Sequence, residues 1–317
     1  MKSTRDAYGE ALVELGEKNP DIVVLDADLS SSTRTCLFAS RFPERFFDLG
    51  IAEQNLFSVA AGFAASGKIP FASTFAVFST ERAFNQIKQT IAYPVLNVRI
   101  ASSHSGFSAS GDGGSHQSLI DISLMRSLPN MTVIVPADAT QTRKAVHAAM
   151  GIHGPVYLRL GKTDVPVLFD EQVEFQLGRV ATLREGTDVS VFVTGIVLSQ
   201  AYAAADIVAK EGLEVQLVNV HTIKPIDRKG VVLAAARTGC AVTVEEHSVI
   251  GGLGSTIAEV LACELPVPLE MVGVRDCFGE SGTQEELFAK HGLTPEGIAS
   301  AIRKVAARRP TMRKGRG

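Results

Sequence analysis

The stretch FFDLGIAEQNLFSVAAGFAASG, residues 46–67, reads as one strand, one turn and one helix. Phe46–Asp48 is short and apolar, and Gly50 permits a sharp turn. From residue 53 to 66, Leu56, Val59, Ala60, Phe63 and Ala64 fall at i, i+3, i+4, i+7 and i+8, a single apolar stripe. Gly67 follows where a helix end favours glycine. A strand feeding an amphipathic helix is half of a βαβ unit, and the same rhythm runs outward on both sides.

Strands are expected at Ile22–Asp26, Val95–Ile100, Thr132–Val135 and Val156–Leu160, with helices over 4–18, 80–92, 116–127 and 138–150. The strand candidates are rich in Val, Ile and Leu and mostly lack alternation, as strands buried on both faces of a parallel sheet do. Gly161–Gly186 breaks the pattern with Pro166, scattered charge and Gly178. A second series then begins, with strands at Val189–Val193, Val215–Val220, Ala241–Val244 and Leu269–Val274 and helices over 197–210, 227–237, 253–264, 283–290 and 295–308. The expected fold is therefore α/β, two consecutive α/β domains with mainly parallel sheets. The divisions are residues 1–165, a linker over 166–186, a second domain over 187–310 and a basic, disordered tail over 311–317.

Composition narrows the function. The 317 residues are 45% hydrophobic and 21% charged, the balance of a soluble globular protein. No run reaches the roughly 18 apolar residues of a membrane span, and MKSTRDAYGE has no apolar leader core, which points to the cytoplasm. Cysteines 36, 240, 263 and 277 form no CxxC and read as reduced thiols. Seven of the 31 basic residues lie in 303–316 with none of the 34 acids, so the rest of the chain carries −10. An acidic body argues against nucleic-acid binding, and the basic end reads as a solvated terminus.

The densest polar cluster is ASSHSGFSASGDGGSHQS, residues 101–118, after the apolar VLNVRI and before a helix. Ligands of open α/β sheets gather at the carboxyl ends of strands, and this loop offers His104, Asp112 and His116. A zinc site from those three matches no common spacing. In DLGIAEQN, residues 48–55, Glu53 has two readings: an acid favouring the helix dipole, or a largely buried acid that pairs with a ring nitrogen of a ligand. In STFAVFSTERAF, residues 73–84, the Phe side chains are core or a stacking wall for a planar ring. DADLSSSTRT (26–35) and YLRLGK (157–162) each end a strand with groups suited to an anion. Glu246 and His247, in VTVEEHSVIGGLGS, read as structural or interface groups ahead of catalytic ones.

Taken in order, GIAEQ (50–54), the Phe-x-x-Phe of TFAVF, the His104-x7-Asp112-x3-His116 loop and SLPNMTVIVPAD (127–138) resemble the C-terminal portion of transketolases, a pyrimidine-binding domain followed by the family's C-terminal domain. The diphosphate- and metal-binding half of the family has no counterpart here. GDGG at 111–114 looks like the start of its signature, but the required Asn lies about 25 residues on in the family and Asn130 only 19 on here. The resemblance therefore implies the C-terminal subunit of a split transketolase. Such a subunit moves a two-carbon ketol unit from a ketose phosphate to an aldose phosphate in carbohydrate metabolism of the pentose phosphate kind. It implies thiamine diphosphate, with Mg2+ or Ca2+ held by a separate N-terminal subunit, in an α2β2 heterotetramer that involves neither nucleic acid nor membrane. The alternative is another thiamine-dependent subunit, deoxyxylulose-phosphate synthase-like or a 2-oxo-acid dehydrogenase β chain.

By the same resemblance, Glu53 bonds the aminopyrimidine nitrogen and so promotes loss of the thiazolium C2 proton. Phe75 and Phe78 wall the ring, and Asp28 lies close to the cofactor. Arg5, Ser32, His104 and Arg159 hold the substrate phosphate. Asp112 reads a donor hydroxyl, and His116 bonds the hydroxyls of the transferred unit and shuttles a proton. The chain departs from the family at Glu81, where a third aromatic is usual, at Gly111 before Asp-Gly, at Gly114-Ser before His116, and at Gln54, where many members have His.

Overall fold

The computed structural model describes residues 1–309, so the basic segment 311–317 lies outside the described residues. Among the described residues twelve strands occur in chain order: β1 (Ile22–Asp26), β2 (Phe46–Asp48), β3 (Ile69–Phe75), β4 (Arg99–Ser103), β5 (Thr132–Ile134), β6 (Val156–Arg159), β7 (Ala181–Arg184), β8 (Val189–Val193), β9 (Val215–Asn219), β10 (Thr222–Lys224), β11 (Ala241–Ser248) and β12 (Leu269–Val274). They build a seven-stranded sheet of order β10-β5-β6-β4-β3-β1-β2 and a five-stranded sheet of order β12-β11-β8-β9-β7. All pairs are parallel except β10 with β5 and β7 with β9, which close an edge of each sheet. The protein is thus two α/β units with mostly parallel sheets, and β10 reaches back from the second to complete the first.

Several elements differ from the sequence reading. β3 was not anticipated: Pro70, Ser73 and Thr74 interrupt its apolar character, yet from Pro70 to Phe75 every residue is buried. β4 lies at Arg99–Ser103 rather than Val95–Ile100, and Val95 has φ +58°. Arg99 is tolerated inside the strand because its guanidinium donates to the carbonyls of Gly154 (2.8 Å) and Ile152 (2.7 Å). The helix expected from 116 begins only at Asp121, after tight 3-10 turns over Gly106–Asp112 and Gly114–His116. Ala181–Arg184, within the segment read as a linker, is an edge strand.

The Glu53–Ala65 helix shows why its first residue goes inward. Its buried residues are Glu53, Leu56, Phe57, Ala60 and Ala61, with Val59, Phe63 and Ala64 packed partly beneath. Glu53, Phe57, Ala60 and Ala64 succeed one another at i, i+4, i+7 and i+11, so Glu53 shares the inward face. Burying Phe57 contributes about 1.5–3 kcal/mol, which holds the acid in place. One apolar cluster continues from Leu25 and Ile100 through Met125 and Tyr157 to Phe192, Val218 and Leu253, so the two units share a core.

Candidate active site

The carboxyl ends of β1, β2, β3, β4 and β6 come together at one edge of the larger sheet, where parallel sheets place ligands. After β1, buried Asp26 accepts from Thr33 Oγ1 (2.6 Å), Thr35 Oγ1 (2.8 Å) and the Leu29 N–H (2.7 Å). Burial raises its pKa to about 6. These bonds fix the 27–35 turn. Asp28 has φ +61° and is exposed, and its N–H donates to Asp48 Oδ1 (2.9 Å). The Gly50 N–H donates to the same oxygen (2.9 Å), so Asp48 ties the first turn to the one that presents Glu53.

Glu53 is 3% exposed, and both its carboxylate oxygens accept from Arg82 Nη1, at 2.8 and 2.9 Å. Phe75 ends β3 and Phe78 opens a π-helical turn. Their rings lie 5.8 Å apart at 12°, a stacked pair. His104 follows β4 with φ +58° and stacks on Phe75 at 3.7 Å. His116 meets the Phe78 ring edge-on at 5.4 Å. The structure therefore gathers Phe75, Phe78, His104 and His116 into one cluster, with Glu53 linked to it through Arg82.

The cluster is electropositive on one side. His104 is buried and pushed down to about 3, chiefly by desolvation, then by the charges of Arg5, Lys162 and His116. It is neutral at physiological pH, with Nδ1 bonded to the Ser103 hydroxyl (2.8 Å). Arg5 Nη1 donates to the Ser32 carbonyl (2.8 Å), which brings those two residues together, and Arg5 Nε is buried without a partner. Burial, then the neighbouring Arg34, lower the Arg5 pKa. Asp112 pairs with Lys162 at 3.2 Å, each side chain about one-third exposed.

Arg159 requires a correction. It is 4% exposed; its Nε donates to Asp121 Oδ2 (2.7 Å) and its Nη2 to the Glu246 carbonyl (2.9 Å), with the Glu246 carboxylate at 3.8 Å. Tyr157 donates to the same Asp121 oxygen (2.7 Å). Burial alone would lower the Arg159 pKa, but Asp121 and Glu246 push it above the ordinary range. Residues two apart in a strand share a face, and that of Tyr157 and Arg159 packs on the second unit. Arg159 is thus an internal brace and does not face the cluster. Lys162, three residues on and past the strand end, faces it. Within YLRLGK it is therefore Lys162 rather than Arg159 that lies toward the cluster, and Lys162 and Arg82 are two charged groups there that the sequence pattern does not single out.

The second unit backs the polar loop. Gln117 donates to the Glu280 carbonyl (2.9 Å) and accepts from its N–H (3.1 Å). A Cβ on Gly114 would stand 2.3 Å from the Gly279 carbonyl oxygen. Beside the loop lies a groove of about 540 Å3 whose lining includes Val77, Glu81, Ile120, Ile250 and Phe278, the last 97% exposed. Glu81, at the position of the third aromatic, accepts from Ser118 Oγ (2.9 Å), and burial raises its pKa.

A buried carboxylate beside a stacked aromatic pair suits a flat, nitrogen-bearing ring, and the Arg5, His104 and Lys162 side suits an anion. Among the described residues no group of three or more His, Cys, Asp or Glu side chains is placed to hold a metal, and no helix is long and apolar enough to cross a membrane.

Comparison with known proteins agrees with the two-unit fold. Residues 1–167 match the family description "Transketolase, pyrimidine binding domain", and residues 178–298 match "Transketolase, C-terminal domain". A putative transketolase C-terminal section of Methanocaldococcus jannaschii is 43% identical over 95% of both chains. A 6-deoxy-6-sulfo-D-fructose transketolase subunit of Clostridium sp. is 44% identical over 96% of this chain and 95% of its own. A solved structure described as a split gene transketolase, an inactive beta4 tetramer, superposes with TM-score 0.92 at 53% identity, covering 98% of this chain and all of the other.

Proposed function

The chain belongs to the transketolase family, and from that premise we propose that it is the ring-binding subunit of a split, thiamine diphosphate-dependent transketolase. The observation that carries the proposal is Glu53, a carboxylate buried at a helix start and joined through Arg82 to the stacked Phe75–Phe78 pair. When bound, the coenzyme supplies the carbanion chemistry of two-carbon transfer. Glu53 holds the aminopyrimidine edge, and Phe75 and Phe78 set its plane. Asp28, at the exposed turn after β1, borders the same site.

On the substrate side, Arg5 and neutral His104 hold the terminal anion of the sugar, joined by Lys162 in place of Arg159. Ser32 flanks them through the turn that Arg5 ties down. Charge-assisted bonds of this kind suit a phosphate or a sulfonate equally; sugar phosphates are the substrates proposed, and the sulfo-sugar named for the Clostridium relative carries a similar charge. Asp112 reads a donor hydroxyl, and Lys162 orients its carboxylate. His116, edge-on to Phe78, reaches the hydroxyls of the transferred unit and moves a proton there. The anion-binding cluster favours sugar phosphates over the 2-oxo acids of dehydrogenase β chains.

The subunit and section names of the relatives and the split-gene neighbour support an N-terminal partner subunit, which in this reading holds the diphosphate and Mg2+ or Ca2+ in an α2β2 assembly. Exposed Ile51, Ile120, Ile250 and Phe278 near Glu53 and the groove suit a subunit contact. The four unpaired cysteines suit the cytoplasm. The test is coexpression with a partner carrying the diphosphate signature, then a two-carbon transfer assay with thiamine diphosphate and magnesium. Transfer by the pair and none by this chain alone is the expected result. Transfer by this chain alone, or none by the pair on any phosphorylated or sulfonated ketose, overturns the proposal.

A further inference from the structure

Arg82 has no part in the function above, yet it occupies a telling place. It ends the π-helical turn Phe78–Arg82. Such turns insert one residue into a helical path and re-aim the side chains that follow. Here the guanidinium carbon lies 4.4 Å from the centroid of the Phe78 ring, while Nη1 donates to both Glu53 oxygens. A planar group with N–H donors, laid over Phe78 and tied to Glu53, makes the same two contacts that the coenzyme ring is proposed to make. Both groups cannot make them at once.

We infer that Arg82 is the resident counter-ion of Glu53, and that seating the coenzyme ring requires the guanidinium to swing away from the Phe78 face. The pair is asymmetric in the way this exchange needs. The Glu53 side chain is 3% exposed and fixed, whereas the Arg82 side chain is 48% exposed at the water boundary. A buried carboxylate left without a partner is strongly unfavourable, so Arg82 protects Glu53 until a ring N–H replaces it. Gln54 Nε2 donates to the Arg82 carbonyl at 3.4 Å, so the backbone stays anchored while the side chain moves. Gln54, one of the departures from the family pattern, thereby acquires a role: it holds the hinge of this exchange.

The inference rests on reading Glu53 as the ring acceptor. It is tested by calorimetric titration of the reconstituted two-subunit complex with thiamine diphosphate. Arg82→Ala removes the competitor only from the coenzyme-free state, so the coenzyme should bind about tenfold more tightly, equivalent to about 1.4 kcal/mol. Arg82→Lys, which keeps a cation but not the planar donor set, should fall between the two and serves if Arg82→Ala does not fold. In a Glu53→Gln background the gain from Arg82→Ala should vanish. Affinity equal to or weaker than wild type in the folded Arg82 variants would overturn the inference, because it would mean that Arg82 stays on Glu53 with the ring bound. A wild-type complex that takes up no thiamine diphosphate would instead remove the reading of Glu53, and this inference with it.

Discussion

Replacing Lys162 and Arg159 by alanine in parallel separates substrate binding from structural support. Lys162 is one-third exposed and paired only with Asp112 at 3.2 Å. Removing such a pair costs folding about 0–1 kcal/mol. Its contact with a substrate anion is charge-assisted, worth about 1.5–3 kcal/mol, or roughly 10- to 150-fold in kcat/KM. Arg159 is 4% exposed between Asp121 and Glu246. Its removal strands the buried Asp121 carboxylate, at about 3–5 kcal/mol. Lys162→Ala should therefore lower kcat/KM for phosphorylated ketoses by that factor, spare unphosphorylated ones and leave the melting temperature nearly unchanged. Arg159→Ala should lower the melting temperature by several degrees and affect both substrate types alike. Steady-state kinetics on matched phosphorylated and free sugars, with melts of the isolated chain, give the answer. A selective loss of phosphorylated substrates in Arg159→Ala at unchanged stability would refute the reassignment.

Two further outcomes follow from the seam between the units. Burial raises Glu245 and Glu246 to about 8, so the folded state keeps protons that the unfolded state has lost. Stability is then fully present below the unfolded value and lost as pH rises through about 8. Between pH 6.5 and 8 the melting temperature should fall, and Glu246→Gln should remove about half of the slope; a flat or rising profile contradicts this. Gly114→Ala places a Cβ 2.3 Å from the Gly279 carbonyl oxygen, which should destabilise the chain by about 1–3 kcal/mol and lower kcat/KM by displacing the His116 loop. Wild-type stability and kinetics together would show that the loop does not lean on the second unit as described.

Much of the fold was legible because its signals are local. The Leu56–Ala60 periodicity with Gly67, and the apolar runs at Ile22–Asp26 and Val189–Val193, fix elements without reference to anything distant. What escaped depends on tertiary context. β3 carries Pro70, Ser73 and Thr74, whose burial only neighbouring strands make possible. β10 pairs with β5 some 90 residues earlier, and no local pattern announces that. At the site, the loop after β4 and the Phe75–Phe78 pair were readable as candidates because strand ends and aromatic spacing are sequence features. The choice between Arg159 and Lys162 turned on which face of β6 meets the second unit. Arg82 was hidden by a π-helical turn, since a helical wheel drawn at 3.6 residues per turn misplaces its side chain.

The most direct test of the account is the exchange rate of the coenzyme C2 proton, followed by NMR in the reconstituted complex with wild-type chain and with Glu53→Gln. Because the carboxylate's contact with the aminopyrimidine is held to drive that deprotonation, the variant should exchange about 10²- to 10⁴-fold more slowly while retaining its fold. Exchange at the wild-type rate in Glu53→Gln would contradict the central claim.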